Sequence, residues 1–286
     1  MTSAIGVTRA IDVIYTDLDG TMVGPRGCFF RAAGGSTTLE PARALVELLD
    51  AGVVLVLVSG RTRAQLIEAG AIFGAEGFVA ELGAIVGWAG GREGARLPGA
   101  APEGSSGADD ALVAALLERY AGRLELHAPW HLGHEVDVML RGQRGQVDVT
   151  DVERWLVQQG AGWLRLRDNG VLREHKAATG LEAVHVYHLV PDGISKGAAV
   201  AYDLARRGID PARALAIGDS ASDLEMAPHV GRMSVVANGA RAPHMAALIR
   251  RHPNVVVEDT SLGAGWASAV RSGIAGRSPE GAARKR

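Results

Sequence analysis

The sequence predicts an α/β protein: a doubly wound, mostly parallel sheet into which a smaller α+β domain is inserted. Three observations predict it. Continuous apolar runs of strand length alternate with helix-length amphipathic stretches, the pattern of a parallel sheet covered on both faces. The alternation changes character between residues 89 and 188 and then resumes. Clusters of polar residues stand at the ends of the apolar runs, where open α/β sheets bind their ligands.

The elements follow in order. Ile11 to Thr16 is the first strand. Pro41 to Asp50 reads as a helix, apolar at Ala42, Leu45, Val46 and Leu49, and it stops at Gly52. Val53 to Val58 is the second strand, Thr62 to Gly70 a helix, and Phe78 to Ala80 and Ala84 to Trp88 are short strands. Glu93 to Asp109, rich in Gly, Ala, Pro and Ser, reads as a loop or linker. The insert then offers helices over Asp110–Tyr120 and Val149–Gln159. Its strands are expected near Leu124 and over Val136–Leu140, Trp163–Arg167 and His185–Val190. At about 100 residues it is large enough to be a domain of its own. The first pattern returns with helix Lys196–Arg207, strand Ala214–Ile217, helix Ser222–Pro228 and strand Met233–Ala237. Helix Ala242–Arg251, strand Val255–Val257 and helix Ser261–Arg271 complete it. The expected division is a core of residues 1–88 and 189–275, a cap of residues 89–188, and a disordered tail at 276–286.

Composition narrows the function. The chain of 286 residues is 47% apolar and 22% charged, as ordinary globular proteins are. A net charge of −2 gives no electrostatic case for nucleic acid or anionic membrane. No apolar run approaches the roughly 20 residues that span a bilayer, and Met1 to Arg9 lacks a signal peptide's apolar stretch. A single cysteine, Cys28, excludes an internal disulfide framework and fits a reducing cytoplasm. Of the 30 basic residues only Lys176, Lys196 and Lys285 are lysines, so a lysine at a motif position stands out. Oligomeric state is not legible.

The first strand ends at Asp17-Leu18-Asp19-Gly20-Thr21. In extended backbone the i, i+2 spacing aims both carboxylates the same way, and glycine lets the chain turn close to a ligand. Two carboxylates in one crevice repel unless a cation sits between them, which points to Mg²⁺ with a nucleophile beside it. The second strand delivers Ser59-Gly60-Arg61, and Gly218-Asp219-Ser220-Ala221-Ser222-Asp223 follows the Ala214–Ile217 strand. Lys196 opens the helix after the insert, where a helix N-terminus favours anions. Nucleophile, acid/base, hydroxyl, cation and metal carboxylates together are the parts of a phosphoryl-transfer site.

In that order, D-x-D-G-T, S-G-R, a lysine and G-D-S-x-S-D resemble the haloacid dehalogenase-like superfamily of aspartate-dependent phosphohydrolases. The position of the insert resembles the branch with a large α/β cap, which includes the Cof-type, sucrose-phosphate and mannosyl-3-phosphoglycerate phosphatases. Val190 to Gly197 is similar to that branch's return into its Rossmann-like core. The resemblance implies that Asp17 attacks phosphorus and that Asp19 is the acid and then the base. It implies Mg²⁺ held by Asp17, the Asp19 carbonyl and Asp219, with Asp223 in support, and phosphate held by Ser59 and Lys196. Gly20, Gly60, Arg61 and Ser222 are expected around the phosphate or substrate. The sequence departs from the branch at Ser222, where asparagine is usual, and at Glu81-Leu82-Gly83-Ala84, where Glu-Asn-Gly-Ala is frequent.

The expected function is therefore hydrolysis of a small phosphorylated metabolite, a sugar phosphate or a phosphoglycerate conjugate. A phosphomutase on the same scaffold and a non-catalytic metabolite-binding module are the alternatives. His127, His131 and His134 match no closed zinc pattern; a substrate-facing role in the cap stands beside a packing role. His185 and His188 lie on opposite faces of one strand, so at most one of them faces substrate. Gly24 to Ser36 is long enough for a flap over the entrance, or for a solvated loop.

Overall fold

The computed structural model describes residues 10–143, 145–172 and 184–275. The chain runs through β1 (Val13–Thr16), α1 (Glu40–Asp50), β2 (Val54–Val58), α2 (Arg63–Phe73) and β3 (Gly77–Ala80). Strands β4 (Ile85–Trp88) and β5 (Glu93–Arg96) then fold back. The insert holds α3 (Asp110–Arg119), β6 (Leu124–Leu126), β7 (Val138–Gln143), α4 (Val149–Gln158), β8 (Leu164–Leu172) and β9 (Val184–Pro191). After it come α5 (Lys196–Arg207), β10 (Ala214–Gly218), α6 (Ala221–Leu224) and β11 (Arg232–Val235). The last elements are α7 (Ala237–Ala240), α8 (Met245–Ile249), β12 (Val255–Val257) and α9 (Leu262–Ile274).

The core sheet is ordered β12-β11-β10-β1-β2-β3-β4-β5. Its strands from β12 to β3 are parallel, while β4 and β5 are antiparallel additions at one edge. Continuous apolar runs are needed because both faces are covered. On β1, Ile14 packs with Leu55, Leu57 and Leu215 on one face, whereas Val13 and Tyr15 pack with Val56, Val58 and Ala216 on the other. The fold class is the one the apolar alternation predicts.

The insert forms a separate antiparallel sheet, β6-β7-β9-β8, with its own core around Leu116, Tyr120, Leu140, Trp155, Leu164 and Tyr187. Its edges differ from the expected ones. Residues 93–96, expected in a linker, are β5 of the core sheet beyond 88, and β9 stays in the cap sheet through Pro191, past 188. Strand β5 was illegible because it pairs on one side only. Its side chains are largely exposed, so it needs backbone partners but no apolar pattern. Helix α7 was missed too, since four residues carry no periodicity. The expected tail at 276–286 lies outside the described residues. No described helix is long and apolar enough to cross a membrane.

Helix α5 is fixed to the sheet by one buried carboxylate. Asp203 is fully buried, and its Oδ2 accepts from Tyr15 Oη and Arg207 Nε, each at 2.7 Å. Its Oδ1 accepts from Trp88 Nε1. Burial, reinforced by Asp203, pushes the Tyr15 phenol well above its ordinary value. An ionic group buried among donors gains little net stability, but removing one partner leaves the others desolvated and unpaired. Asp203→Ala is expected to cost about 3 kcal/mol in urea unfolding; a loss below about 1 kcal/mol would show that the network does not hold α5.

Candidate active site

The site is assembled at the carboxyl ends of β1, β2 and β10, adjacent strands in the order β10-β1-β2. The backbone after β1 turns tightly, Thr21 N and Val23 N both donating to the Leu18 carbonyl at 3.2 and 2.9 Å. Gly20 sits at φ +90°, and a Cβ there would stand 2.5 Å from Asp219 Oδ2. Only glycine allows this turn to close on the acidic loop after β10.

Asp17 is buried, and Lys196 Nζ donates to its Oδ1 at 2.9 Å and to Asp223 Oδ1 at 2.6 Å. The other Asp223 oxygen accepts from the amides of Asp219 (3.0 Å) and Ser220 (2.9 Å) and from Ser220 Oγ (2.7 Å). Asp223 is thereby occupied with folding its own loop and holding the lysine. Asp219 Oδ2 accepts from Asn238 Nδ2 at 3.0 Å, and the same amide reaches the Gly20 carbonyl at 2.8 Å. The Ser195 hydroxyl caps α5 by accepting from Ala198 N at 2.9 Å, which sets Lys196 as the first residue of the helix.

Burial pushes the Asp17 carboxyl up to about 7, Lys196 opposing and Asp223 and Asp19 adding to the shift. Burial also raises Asp219 well above the carboxylate range, with Asp17 and Asp223 adding to it. Burial opposes the Lys196 charge, but Asp17 and Asp223 outweigh it and hold the ammonium firmly protonated. Three carboxylates around one lysine leave negative charge unbalanced, and Asp17 Oδ2 is buried without a hydrogen-bond partner. Ligand oxygens of Asp17, Asp219 and Asp223 lie within 4.8 Å of one another, the one such potential ligand group among the described residues. Hard carboxylate oxygens so placed fit Mg²⁺.

The remaining expected residues are more dispersed. Asp19 lies two residues beyond Asp17, its side chain 53% exposed, and Arg61 clasps it with Nε at 2.7 Å and Nη2 at 2.6 Å. Ser59 is buried at the end of β2, where its Oγ accepts from Arg61 N at 3.3 Å. Gly60 packs against the His188 ring of the cap. The Ser222 hydroxyl pairs with Ser220 Oγ at 2.9 Å and reaches the cap's Asn169 Oδ1 at 3.4 Å, so it lies on the seam between cap and core. In the histidine stretch, His134 Nδ1 approaches Asp137 Oδ2 at 3.3 Å, and no three of these side chains share an ion site among the described residues. Burial opposes the His134 charge, but Asp137 and Glu81 raise its pKa.

Two contributors escaped the sequence reading. Asn238 sits in the short α7 that periodicity could not reveal. Glu81 was visible only as the first residue of Glu81-Leu82-Gly83-Ala84. Its carboxylate is fully buried and accepts from the amides of Glu135 (2.9 Å), Val136 (2.8 Å) and Asp137 (3.0 Å) where the chain enters the cap strand. The loop is strained, with Glu81 at φ +51° and Leu82 at φ +57°.

Over residues 178–249 the sequence matches the family model of haloacid dehalogenase-like hydrolases. None of the curated proteins matches the chain in sequence. The fold is similar to that of the sucrose-phosphatase of Synechocystis sp., solved with sucrose and phosphate (TM-score 0.62, 16% identity, 93% of this chain and 98% of that one). It is similar to a haloacid dehalogenase-like hydrolase from Bacteroides thetaiotaomicron (TM-score 0.61, 15% identity, 92% and 99%). A sugar phosphatase of subclass IIB of the superfamily also shares it (TM-score 0.56, 13% identity, 86% and 93%). At these identities the likeness is one of fold.

The loop that carries Glu81 also bears on the lysine. Gly83 takes φ +110°, and a Cβ there would stand 2.1 Å from the Ser195 carbonyl oxygen. Gly83→Ala is expected to displace the start of α5, lowering stability by about 1–3 kcal/mol. An unchanged melting temperature would show that Ser195 yields without cost.

Proposed function

We propose that this chain, whose fold is that of the haloacid dehalogenase-like superfamily in its branch with a large α/β cap, is a phosphatase acting through an aspartyl phosphate. The observation that carries the reading is Asp17: a buried carboxylate with one oxygen on Lys196 and the other without a partner. That second oxygen is the nucleophile, placed for attack on a phosphorus drawn in by the lysine charge.

In the first half-reaction Asp17 Oδ2 bonds to phosphorus while the ester oxygen leaves, taking a proton from Asp19. In the second, water attacks the acyl phosphate, Asp19 takes the water's proton, and inorganic phosphate departs with the Asp17 carboxylate restored. Arg61 donates to both Asp19 oxygens and so orients the carboxyl group. Ser59 and Lys196 hold the phosphoryl oxygens. Asp17 and Asp219 would hold Mg²⁺, with the Asp19 carbonyl completing the protein's share and Asp223 acting through Lys196. The ion would supply neutralisation of the phosphoryl charge. The substrate is a small phosphorylated metabolite. Structural likeness to a sucrose-phosphatase and a sugar phosphatase supports a sugar phosphate over a phosphoglycerate conjugate.

The test is phosphate release from a panel of phosphorylated metabolites with Mg²⁺ and with EDTA. Asp17→Asn is expected to lower release at least a thousandfold at an unchanged melting temperature; full turnover in that variant would remove the covalent step. A second prediction follows from proton linkage. In the metal-free protein the Asp17 pKa is raised, to about 7, so its charge destabilises the fold progressively as pH climbs from the unfolded value of 3.8 through 7. A cation relieves that destabilisation and displaces the proton. The rise in melting temperature on adding Mg²⁺ is expected to be small at pH 5.5 and larger at pH 8. A rise independent of pH would place the ion away from Asp17.

A further inference from the structure

The cap carries a buried polar pair that the chemistry of the preceding section does not use. His188 of β9 is fully buried, and its Nδ1 lies 2.5 Å from Asp137 Oδ2. Asp137 is buried beside it, its amide donated to Glu81. Burial alone would raise the Asp137 carboxyl, but His188 and His134 outweigh it and keep it ionised. An ionised carboxylate only accepts, so Nδ1 carries the proton that is shared with Asp137, and Nε2 faces the other way.

Among the described residues, that Nε2 has only a long contact, 3.4 Å to Asn169 Nδ2, and Asn169 Oδ1 only a long one to Ser222 Oγ, also 3.4 Å. A buried ring nitrogen with so weak a partner is an acceptor poorly matched within the protein. The pair also stands in a telling place. A Cβ on Gly60 would lie 3.3 Å from His188 Cε1. Gly60 follows β2, and Ser222 follows β10. Between those two strands lies β1, with Asp17 at its end. His188 and Asn169 therefore bridge from the cap to the two loops that flank the nucleophile.

We propose that His188 and Asn169 form the recognition site for the leaving group of the phosphate ester, with Asp137 fixing the imidazole, and that the group recognised is a neutral polyol. The proposal rests on the phosphatase reading. Nε2 accepts from one hydroxyl, and the Asn169 amide, donor and acceptor together, pairs with a neighbouring one that does both. Among the described residues, the arginines along this seam are already engaged and offer an anionic leaving group no free charge: Arg167 is tied to Glu225 at 2.8 Å, Arg165 to Asp192 at 2.8 Å, and Arg63 to Glu135 at 3.0 Å.

The experiment compares kcat/KM for hexose 6-phosphates, 3-phosphoglycerate and para-nitrophenyl phosphate, the last without hydroxyls. The wild type is expected to favour a hexose phosphate over 3-phosphoglycerate. In His188→Ala and Asp137→Asn the ratio of hexose phosphate to para-nitrophenyl phosphate is expected to fall at least tenfold. Asn169→Ala alters an exposed residue that folding does not need, and the same fall is expected there. His185→Ala, on the opposite face of β9, should hold the ratio within twofold. An unchanged ratio in both His188→Ala and Asn169→Ala, or a wild-type preference for 3-phosphoglycerate, overturns this proposal and leaves the phosphatase reading standing. No phosphate release from any ester by the wild type overturns that reading and the proposal together.

Discussion

Everything at the ends of the central strands is arranged around one ammonium. Lys196 Nζ sits between Asp17 and Asp223 with its stem buried and donates to one oxygen of each, so that neither buried carboxylate is left without a counter-charge. The lysine comes from the chain segment that returns from the cap, the aspartates from strands β1 and β10. Three distant stretches of sequence are thus held together by charge that none could carry alone. Burial costs each ion its hydration, and the cost is offset only if all are present in the right geometry. The site is also an electrostatic excess, three carboxylates against one lysine, and a divalent cation meets that excess most simply.

The lysine's position depends in turn on the strained loop 81–83. Its Glu81 side chain satisfies three successive amides of the cap just before β7, while Gly83 lies against the carbonyl of Ser195, the residue that caps the lysine's helix. One short segment therefore touches both the cap and the chain that returns from it to the core. Left-handed backbone at two residues that are not glycine is costly, and it persists because the surrounding hydrogen bonds over-determine it. The geometry of the cap seam and the placement of Lys196 are coupled through this contact.

How much of this was legible in the sequence follows from the physics of each part. The parallel strands were readable because burial on both faces demands unbroken apolar runs, Asp17, Asp219 and Lys196 because each ends such a run or opens a helix, and Asp223 from its place in the motif after β10. Strand β5 was not, since an edge strand needs only backbone partners. Asn238 was not, since it acts from a four-residue helix with no period. His188 was half legible: alternation allowed one of His185 and His188 to face inward, but which one depends on the cap's register, and β7–β9 pairing sets Met139 opposite His188. The pairing of Asp19 with Arg61 could not be read at all. Both residues were visible, yet their partnership across 42 positions is a product of the fold.

That partnership gives the two aspartates on one turn opposite surroundings. Asp17 is sealed under the sheet's end with a lysine on one oxygen, and among the described residues its other oxygen has no hydrogen-bond partner. Asp19 stands half in solvent, held from outside by a guanidinium that grips both oxygens. In the proposed mechanism the nucleophile benefits from desolvation, which strips the water that would blunt its attack. The proton carrier of that mechanism must instead exchange with water, and Asp19 is the exposed one of the two. Two residues of spacing, one facing the interior and one the rim, suffice to give identical side chains opposite environments, which suit the opposite tasks proposed for them.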